Sequence, residues 1–252
     1  MGFDCKGIQK MTDFGSRKVE VRKFFNIPKN YLNRRYDVEI RAYITRKLLG
    51  EVTQSTILDI GCGDGTLSLQ YAMQENKLTF VDLSDKMLDA AKQNTPDGLV
   101  QGFRYLNLDF IDYIPDQAFD IILCIGVLAH VQSFNIAIKK LYSLLKPGGR
   151  CLIQFTDNNC RMGKIESLHY SLKKAVGGNI HPYSLLKLEY PDVLHFVQSA
   201  GFNIANQCRY SLLLPGMGRL PDKFLYRYQL RTLETDWLSR IGSEVILLLV
   251  KP

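Results

Sequence analysis

The sequence predicts an α/β fold with a mostly parallel sheet and helices on both faces, and two observations lead to this prediction. Short apolar segments alternate with segments of helical period through the first two thirds of the chain. The apolar segments are nearly continuous, which is typical of strands that are buried on both faces. The 252 residues, of which 46% are hydrophobic and 23% charged, are enough for one sizeable core.

The first elements are helical, and the alternating region follows them. From Arg17 to about Leu49, apolar residues recur close to the helical period, with a break near Pro28. The segment KPGG that begins at Lys146 stops a helix and turns the chain into the next strand. The predicted strands are Thr56–Ile60, Leu78–Asp82, Phe103–Asn107, Phe119–Ile125 and Arg150–Phe155, and the predicted helices between them are Thr66–Gln74, Lys86–Thr95 and Asn135–Leu145.

The regular alternation ends after Phe155. Residues 156–190 carry Gly and Pro without a clear period, so we expect irregular structure there. The last strand, Glu244–Val250, is so apolar that it must be central or well covered. The other late elements are a helix over 191–200, the strand Asn203–Gln207 and a second insertion over 209–242, whose later part, Phe224–Leu238, is helical.

Composition and charge indicate which partners, redox environment and membrane association to expect. The formal net charge of +7 is compatible with nucleic acid or anionic membrane as a partner, but no block of five or six like charges occurs. The six cysteines form neither a CxxC pair nor a Cys/His cluster with zinc spacing, which favours a reduced, cytoplasmic protein. The N-terminus lacks the apolar region of a secretory signal, and the longest apolar run, Ile121–Ala129, is too short to cross a bilayer.

The segment ILDIGCGDGTLSL, which begins at Ile57, joins a strand to a glycine-rich loop. Its glycines have the spacing G-x-G-x-G, whereas a dinucleotide fingerprint needs its third glycine at the position of Thr66. A P-loop would need a lysine that is missing here. Asp59, at the end of the strand, would repel a pyrophosphate. It would suit a ligand with a cationic amine.

Two further acids stand at the ends of the next strands. Asp82 lies about 20 residues after the first glycine, where a carboxylate accepts hydrogen bonds from ribose hydroxyls. Asp109 is followed by Phe110, and an acceptor beside an aromatic ring fits adenine. Together these acids suggest an adenosine that also carries an amino acid.

Five motifs, LDIGCGDGTLS, VDLSDKMLDAAK, LDF, FDIILCIGVLAHV and LKPGGRCLI, follow one another in this order. Their order and spacing resemble the class I S-adenosylmethionine-dependent methyltransferases, in particular the small-molecule group that includes the ubiquinone-type enzymes. The resemblance covers residues 56–158 well and 191–208 weakly. It implies a Rossmann-like, seven-stranded, mostly parallel sheet in a single domain over 1–252. Its implied parts are an N-terminal helical cap or lid (1–50), a cofactor-binding core (51–158), substrate-cap insertions after strands 5 and 6 (159–190 and 209–242) and the remainder of the core (191–208 and 243–252).

The resemblance also implies roles for individual residues toward S-adenosylmethionine. Asp59 would bind the amino group, Asp82 the ribose hydroxyls and Asp109 the adenine amino group. Two simpler alternatives remain open, since Asp59 could only cap a helix and Met87 could only belong to the core. The implied cofactor-binding residues are Asp59, Gly61, Cys62, Gly63, Asp82, Leu83, Met87, Asp109, Phe110, Cys124 and Ile125.

Methyl transfer to a protonated acceptor needs a base, and histidine is the first candidate. His130 follows the fourth strand at the edge where open α/β sheets bind ligands, and His181 lies in an insertion expected to fold over the pocket. Tyr31 and Tyr36 are candidates for a lid that faces the sulfonium. His169 and His195 are expected to lie at the surface or to pack on a helix, with His195 on an apolar helix face.

Three functions are compatible with these features. The first is methyl transfer to an oxygen or nitrogen of an apolar or aromatic small-molecule metabolite, because the insertions are rich in aromatic residues. The second is an RNA or protein methyltransferase, and the third is a non-catalytic cofactor-binding scaffold. We expect no metal, since no acidic cluster follows the fourth strand; the acceptor and the oligomeric state stay open. The RNA or protein methyltransferase hypothesis is supported by the net charge and by six arginines of the N-terminal region, Arg17, Arg22, Arg34, Arg35, Arg41 and Arg46.

Overall fold

A computed structural model of the chain describes residues 17–27, 35–73, 75–175, 185–214 and 216–252. Within these ranges, seven strands form one sheet. The strands are β1 (Thr56–Ile60), β2 (Lys77–Asp82), β3 (Arg104–Asn107), β4 (Phe119–Cys124), β5 (Leu145–Thr156), β6 (Asn203–Tyr210) and β7 (Glu244–Val250). The helices are α1 (17–25), α2 (Arg35–Leu49), α3 (Asp85–Asn94), α4 (Phe134–Leu144), α5 (Arg161–Ala175), α6 (Tyr190–Ser199), α7 (Asp222–Glu234) and α8 (Asp236–Ser239).

The strand order is β3-β2-β1-β4-β5-β7-β6. Strands β1 to β5 pair in parallel, and β7 runs antiparallel to both of its neighbours. The predicted seven-stranded, mostly parallel α/β fold is therefore confirmed. The prediction for the last strand is confirmed as well, since β7 lies between β5 and β6 and its five middle residues are buried.

Helices cover both faces of the sheet, as the sequence predicts. On one face, α4 and α6 pack on the strands, and residues such as Ile138 and Val197 are fully buried. On the other face, α2, α3 and α7 contribute residues such as Ile44, Ala91 and Leu233 to a second core cluster. Because both faces are covered, the carboxyl ends of β1, β2 and β4 are left at one open edge, where this type of sheet binds its ligands.

The predicted helix over Thr66–Gln74 is wrong within the described residues. The chain makes turns there and one short 3₁₀ helix, Leu69–Tyr71. Side-chain hydrogen bonds compete with a regular helix. Ser68 Oγ donates to Asp59, and the amide of Asn76 donates to the carbonyls of Tyr71 and Val52, both at 2.9 Å.

The expectation of irregular structure over 156–190 is also wrong in part, because α5 occupies 15 residues of that stretch. Met162 near its start is buried, but Ile165, Leu168 and Leu172 are all exposed. Without a buried apolar stripe, the sequence gives only a weak periodic signal for this helix. Among the helices that the structure describes, none is long and apolar enough to span a bilayer.

Candidate functional site

A cleft opens at the carboxyl edge of the sheet, above β1, β2 and β4, and α1 lies across it. The glycine loop and the chain that follows each of these strands form its walls, while Val21 and Phe25 of α1 close it from above. Nine of the predicted site residues line this cleft: Gly61, Gly63, Asp82, Leu83, Met87, Asp109, Phe110, Ile125 and His130.

The glycine loop requires glycine at its first position. Gly61 has a φ of +63°, and a Cβ there would lie only 2.3 Å from Cγ2 of Val127. The loop therefore packs directly against the segment that follows β4, which leaves no room for a side chain between them. At the next glycine, the N–H of Gly63 donates to Asp82 Oδ2 over 3.1 Å, which ties the loop to the end of β2.

Asp82 presents a buried carboxylate to the cleft. Its residue exposure is 9%, and its Oδ1 accepts a hydrogen bond from the N–H of Ser84 at 2.8 Å. Burial raises the pKa of Asp82 to about 6, although the backbone N–H groups of Ser84 and Gly63 act in the opposite direction. The carboxylate is thus held in place by main chain and is ionised above about pH 6.

Asp59 lies beneath the glycine loop and is not among the residues that line the cleft. Its carboxylate accepts a hydrogen bond from Ser68 Oγ. Burial raises the pKa of Asp59 to about 7; the bond from Ser68 lowers it, and the nearby charges of Asp82 and Asp64 raise it further. Because Asp64 is paired with Arg35 at 2.8 Å, the negative field at this end of the cleft comes mainly from Asp59 and Asp82 in their ionised forms.

The third predicted acid, Asp109, is already paired with a residue of α1. Lys18 Nζ lies 2.7 Å from Asp109 Oδ2 and 3.2 Å from Asp112 Oδ2. The other oxygen of Asp109 accepts the N–H of Ile111 at 3.0 Å. Phe110 beside it is buried, with 5% exposure. Both groups predicted to bind adenine therefore lie at one end of the cleft, under α1.

Helix α1 is also anchored on two other strands. Arg22 donates to Asn107 Oδ1 of β3 at 3.2 Å, and Ser84 Oγ, after β2, donates to the carbonyl of Phe25 at 3.2 Å. The ring of Phe25 meets the imidazole of His130 edge to face, with centroids 5.2 Å apart. His130, after β4, thus lies in the cleft wall with an aromatic neighbour from α1.

Comparison with known proteins supports the interpretation of this cleft. A family model described as a methyltransferase domain matches residues 58–153, which include the glycine loop, Asp82 and Asp109. The matched model, which spans 96 of the 252 residues, and the methyltransferases described below support a class I S-adenosylmethionine-dependent methyltransferase. S-adenosylmethionine is the methyl-donating cofactor of this family, whose motifs coincide with the cleft described above.

Individual relatives are similar over part of their length. The chain is 27% identical to a ubiquinone biosynthesis O-methyltransferase of Nitrosomonas europaea over 158 residues, covering 62% of this chain and 66% of the relative. It is 33% identical to the enzyme of that name from Coxiella burnetii over 109 residues, covering 41% of this chain and 44% of the relative. The aligned parts thus span about half to two thirds of these curated relatives.

A solved methyltransferase shares the fold over nearly the whole chain. The magnesium protoporphyrin IX methyltransferase of Synechocystis PCC 6803, crystallised with S-adenosylhomocysteine, superposes with a TM-score of 0.65. The superposition covers 94% of this chain and 100% of that chain at 20% sequence identity. This likeness confirms the family's Rossmann-like fold.

Several residues predicted for the methyltransferase site lie elsewhere. Cys62 and Cys124 are buried in the two core clusters and do not line the cleft. Tyr36 is buried on α2, with 3% exposure, and is not a wall of the cleft either. Tyr31 and His181 lie outside the described residues.

The two remaining histidines are both exposed. This agrees with the surface position expected for His169. The expectation for His195 is wrong: the residue stands on the solvent side of α6, while Val193 and Val197 form the buried side. Within the described part of the chain, no group of three or more His, Cys, Asp or Glu residues is placed to hold a metal ion.

Arg41 is a residue near the site that the sequence did not single out. Its Nη1 atom lies 3.0 Å from the position that a Cβ on Gly126 would take, and Gly126 lines the cleft just after β4. Its Nη2 atom pairs with Asp37 Oδ2 at 2.7 Å. The spacing of four residues on one helix resembles an ordinary surface ion pair, so the sequence offered no signal for a place beside the cleft.

Proposed function

We propose that this protein transfers the methyl group of S-adenosylmethionine to an oxygen or nitrogen of an apolar or aromatic small molecule. The observation that carries the proposal is that Asp82, Asp109 and the glycine loop line one cleft. In this proposal, Asp82 accepts hydrogen bonds from the ribose hydroxyls and Asp109 accepts one from the adenine amino group. The curated relatives named as O-methyltransferases favour oxygen as the acceptor atom.

The charges around the glycine loop fit a cationic ligand. Asp64 and Asp82 lie close enough to Asp59 for their charges to raise its pKa. A pyrophosphate would be repelled by this field, whereas an ammonium and a sulfonium would be attracted. Gly61 lines the cleft, and its missing side chain lets the loop pack directly against Val127.

The amino acid part of the cofactor also carries a carboxylate, and Arg41 is the cation we assign to it. Asp109 and Lys18 mark the adenine end of the cleft. Arg41 lies near Gly126, and the neighbouring Val127 contacts Gly61 of the loop. A guanidinium there suits a carboxylate, because its planar donors can form paired hydrogen bonds with two oxygens.

The chain's own residues account for the remaining needs of the reaction. When bound, S-adenosylmethionine supplies a methyl group on a positively charged sulfur. Ile125, Val127 and Phe25 form an apolar wall that excludes water and strengthens electrostatic interactions in the cleft. The imidazole of His130, which lines the same wall, accepts the proton that the acceptor hydroxyl or amine loses.

The alternative of an RNA or protein methyltransferase gains little from the structure. The net charge of +7 favours it only if basic side chains are available to a partner. Five of the six arginines that support it are engaged within the chain, and Arg34 lies outside the described residues. The intramolecular partners are Ala129 O for Arg17, Asn107 for Arg22, Asp64 for Arg35, Asp37 and Tyr210 for Arg41, and Gln70 for Arg46.

Methyl transfer from labelled S-adenosylmethionine tests the proposed function directly. We expect label to enter catechols, phenols or aromatic amines in a panel of small acceptors, and activity to persist in the presence of EDTA because the proposed mechanism uses no metal. Mixed RNA and protein extracts serve as parallel acceptors. Label that enters only macromolecules, or a protein that binds no S-adenosylhomocysteine, would contradict the proposal.

His130→Ala tests the proposed base. We expect kcat to fall by about 100-fold or more and its acidic limb to disappear, since a neutral imidazole is needed to accept a proton. The profile is measured at saturating cofactor, because protonation of Asp82 near pH 6 changes cofactor affinity rather than kcat. His195→Ala, on the solvent side of α6, is the control. An unchanged acidic limb in His130→Ala excludes this histidine as the base.

A further inference from the structure

We infer that Tyr210, at the end of β6, is a positioning residue for Arg41, and that Gln154 and Glu244 hold Tyr210 in turn. The inference rests on the proposed function, because it takes Arg41 as the ligand of the cofactor carboxylate. It adds a link between the cleft and the antiparallel part of the sheet.

The guanidinium of Arg41 is fixed through two of its three nitrogens. Nε donates to Tyr210 Oη over 3.3 Å, and Nη2 pairs with Asp37 Oδ2 at 2.7 Å. Because these bonds engage two different atoms of one planar group, together they restrict its orientation. Nη1 is the atom that this arrangement directs toward Gly126 in the cleft wall.

The two partners of Arg41 act differently on its charge. Asp37 neutralises part of the charge, and its side chain is 30% exposed. Tyr210 is 2% exposed, and burial raises the pKa of Tyr210 well above its usual value, so the phenol stays neutral. A neutral acceptor orients the guanidinium without itself neutralising the charge.

Tyr210 is itself held by side chains of β5 and β7. Gln154 Nε2 donates to Tyr210 Oη at 2.8 Å and to Glu244 Oε2 at 2.6 Å, while Thr156 Oγ1 donates to Glu244 Oε1 at 2.6 Å. The same amide leaves its Oε1 buried with no hydrogen-bond partner among the described residues. Leaving an acceptor unsatisfied costs free energy, which indicates that the orientation of the amide serves its two N–H bonds.

These contacts connect the part of the sheet that borders the cleft with strands β5 to β7, which contribute no residue to the described cleft walls. The described walls of the cleft come from α1 and from the segments around β1 to β4. Gln154, Glu244 and Tyr210 belong to β5, β7 and β6, and the carboxylate, amide and phenol form one connected series that ends on Arg41. The antiparallel strands thus set the orientation of the group that we assign to the cofactor carboxylate.

Calorimetry with two nucleotides tests the inference. S-adenosylhomocysteine has the amino acid carboxylate, whereas methylthioadenosine lacks the amino acid part. For Tyr210→Phe we expect an affinity for S-adenosylhomocysteine about tenfold lower, because one bond that orients a charged group is lost. Its affinity for methylthioadenosine is expected to equal that of the parent, which also shows that the variant is folded. Gln154→Leu should give a smaller loss with the same selectivity.

Tyr71→Phe is the matched control, because Tyr71 is also a buried tyrosine and its hydroxyl has no hydrogen-bond partner among the described residues. We expect both nucleotides to bind this variant as they bind the parent. An unchanged affinity of Tyr210→Phe for S-adenosylhomocysteine, or an equal loss for both nucleotides, would overturn the inference alone. A parent protein that binds neither nucleotide would overturn the proposed function and the inference with it.

Discussion

Asp82→Ala is expected to lower the affinity for S-adenosylhomocysteine by at least about 100-fold, since two hydrogen bonds to a charged acceptor are each worth about 1.5–3 kcal/mol. The carboxylate is the group assigned to the two ribose hydroxyls. Its removal also frees the N–H groups of Gly63 and Ser84, which hold the glycine loop and the start of α3. Isothermal titration at pH 8 measures the change.

The pH dependence of binding identifies the same group. Because burial raises the pKa of Asp82 to about 6, we expect the parent to lose affinity as the pH falls below 6, whereas Asp82→Asn should show a weaker dependence. Asp89→Ala is the matched control, because Asp89 is an exposed acid on the nearby helix α3. Normal binding by Asp82→Ala would show that the ribose assignment is wrong.

Asp59→Asn is expected to stabilise the cofactor-free protein at pH 8 by roughly 4 kcal/mol, from a pKa raised from 3.8 to about 7 at 1.36 kcal/mol per unit. Burial disfavours the charged form, and the asparagine amide oxygen can still accept from Ser68. In the parent, the folded state holds this proton more tightly than the unfolded state. The free energy of unfolding therefore falls as the pH rises from about 4 to about 7.

Chemical denaturation across this pH range tests the prediction for Asp59. The variant should lose most of the decline in stability, and the part that remains belongs to Asp82 and Glu244, whose pKa values are also raised by burial. Asp97→Asn, at an exposed position, should leave the curve unchanged. Parallel curves for the parent and Asp59→Asn would contradict the assignment. A gain in stability with a loss of cofactor affinity would show that the charge is retained for function.

Local patterns were sufficient to predict the part of the site around β1 and β2. A strand that ends in an acid, a loop with fixed glycine spacing and a second acid after the next strand follow from residues close together in the chain. The sheet then brings them together, because parallel strands end at the same edge. Asp82, Gly61 and Gly63 therefore lie in the cleft as predicted, while their roles toward the cofactor stay a prediction.

Contacts between distant segments could not be predicted in this way. Lys18 and Asp109 are 91 positions apart, and their pairing depends on where α1 docks. The same holds for Arg41, which reaches Tyr210 on the edge strand β6. For Asp59, the position at the end of β1 was predicted, but the orientation of its side chain was not. Its carboxylate accepts a hydrogen bond from Ser68 Oγ and lies beneath the glycine loop.

The docking of α1 has a kinetic consequence. This helix is bonded to the segments that follow β2 and β3 and contacts the imidazole of His130, which follows β4. Displacement of the helix would therefore break contacts with all three segments. Lys18 also occupies the carboxylate that an incoming adenine needs. If Asp109 binds adenine as proposed, nucleotide binding breaks the Lys18 pair, and we expect the release of α1 to influence how fast spent cofactor is replaced.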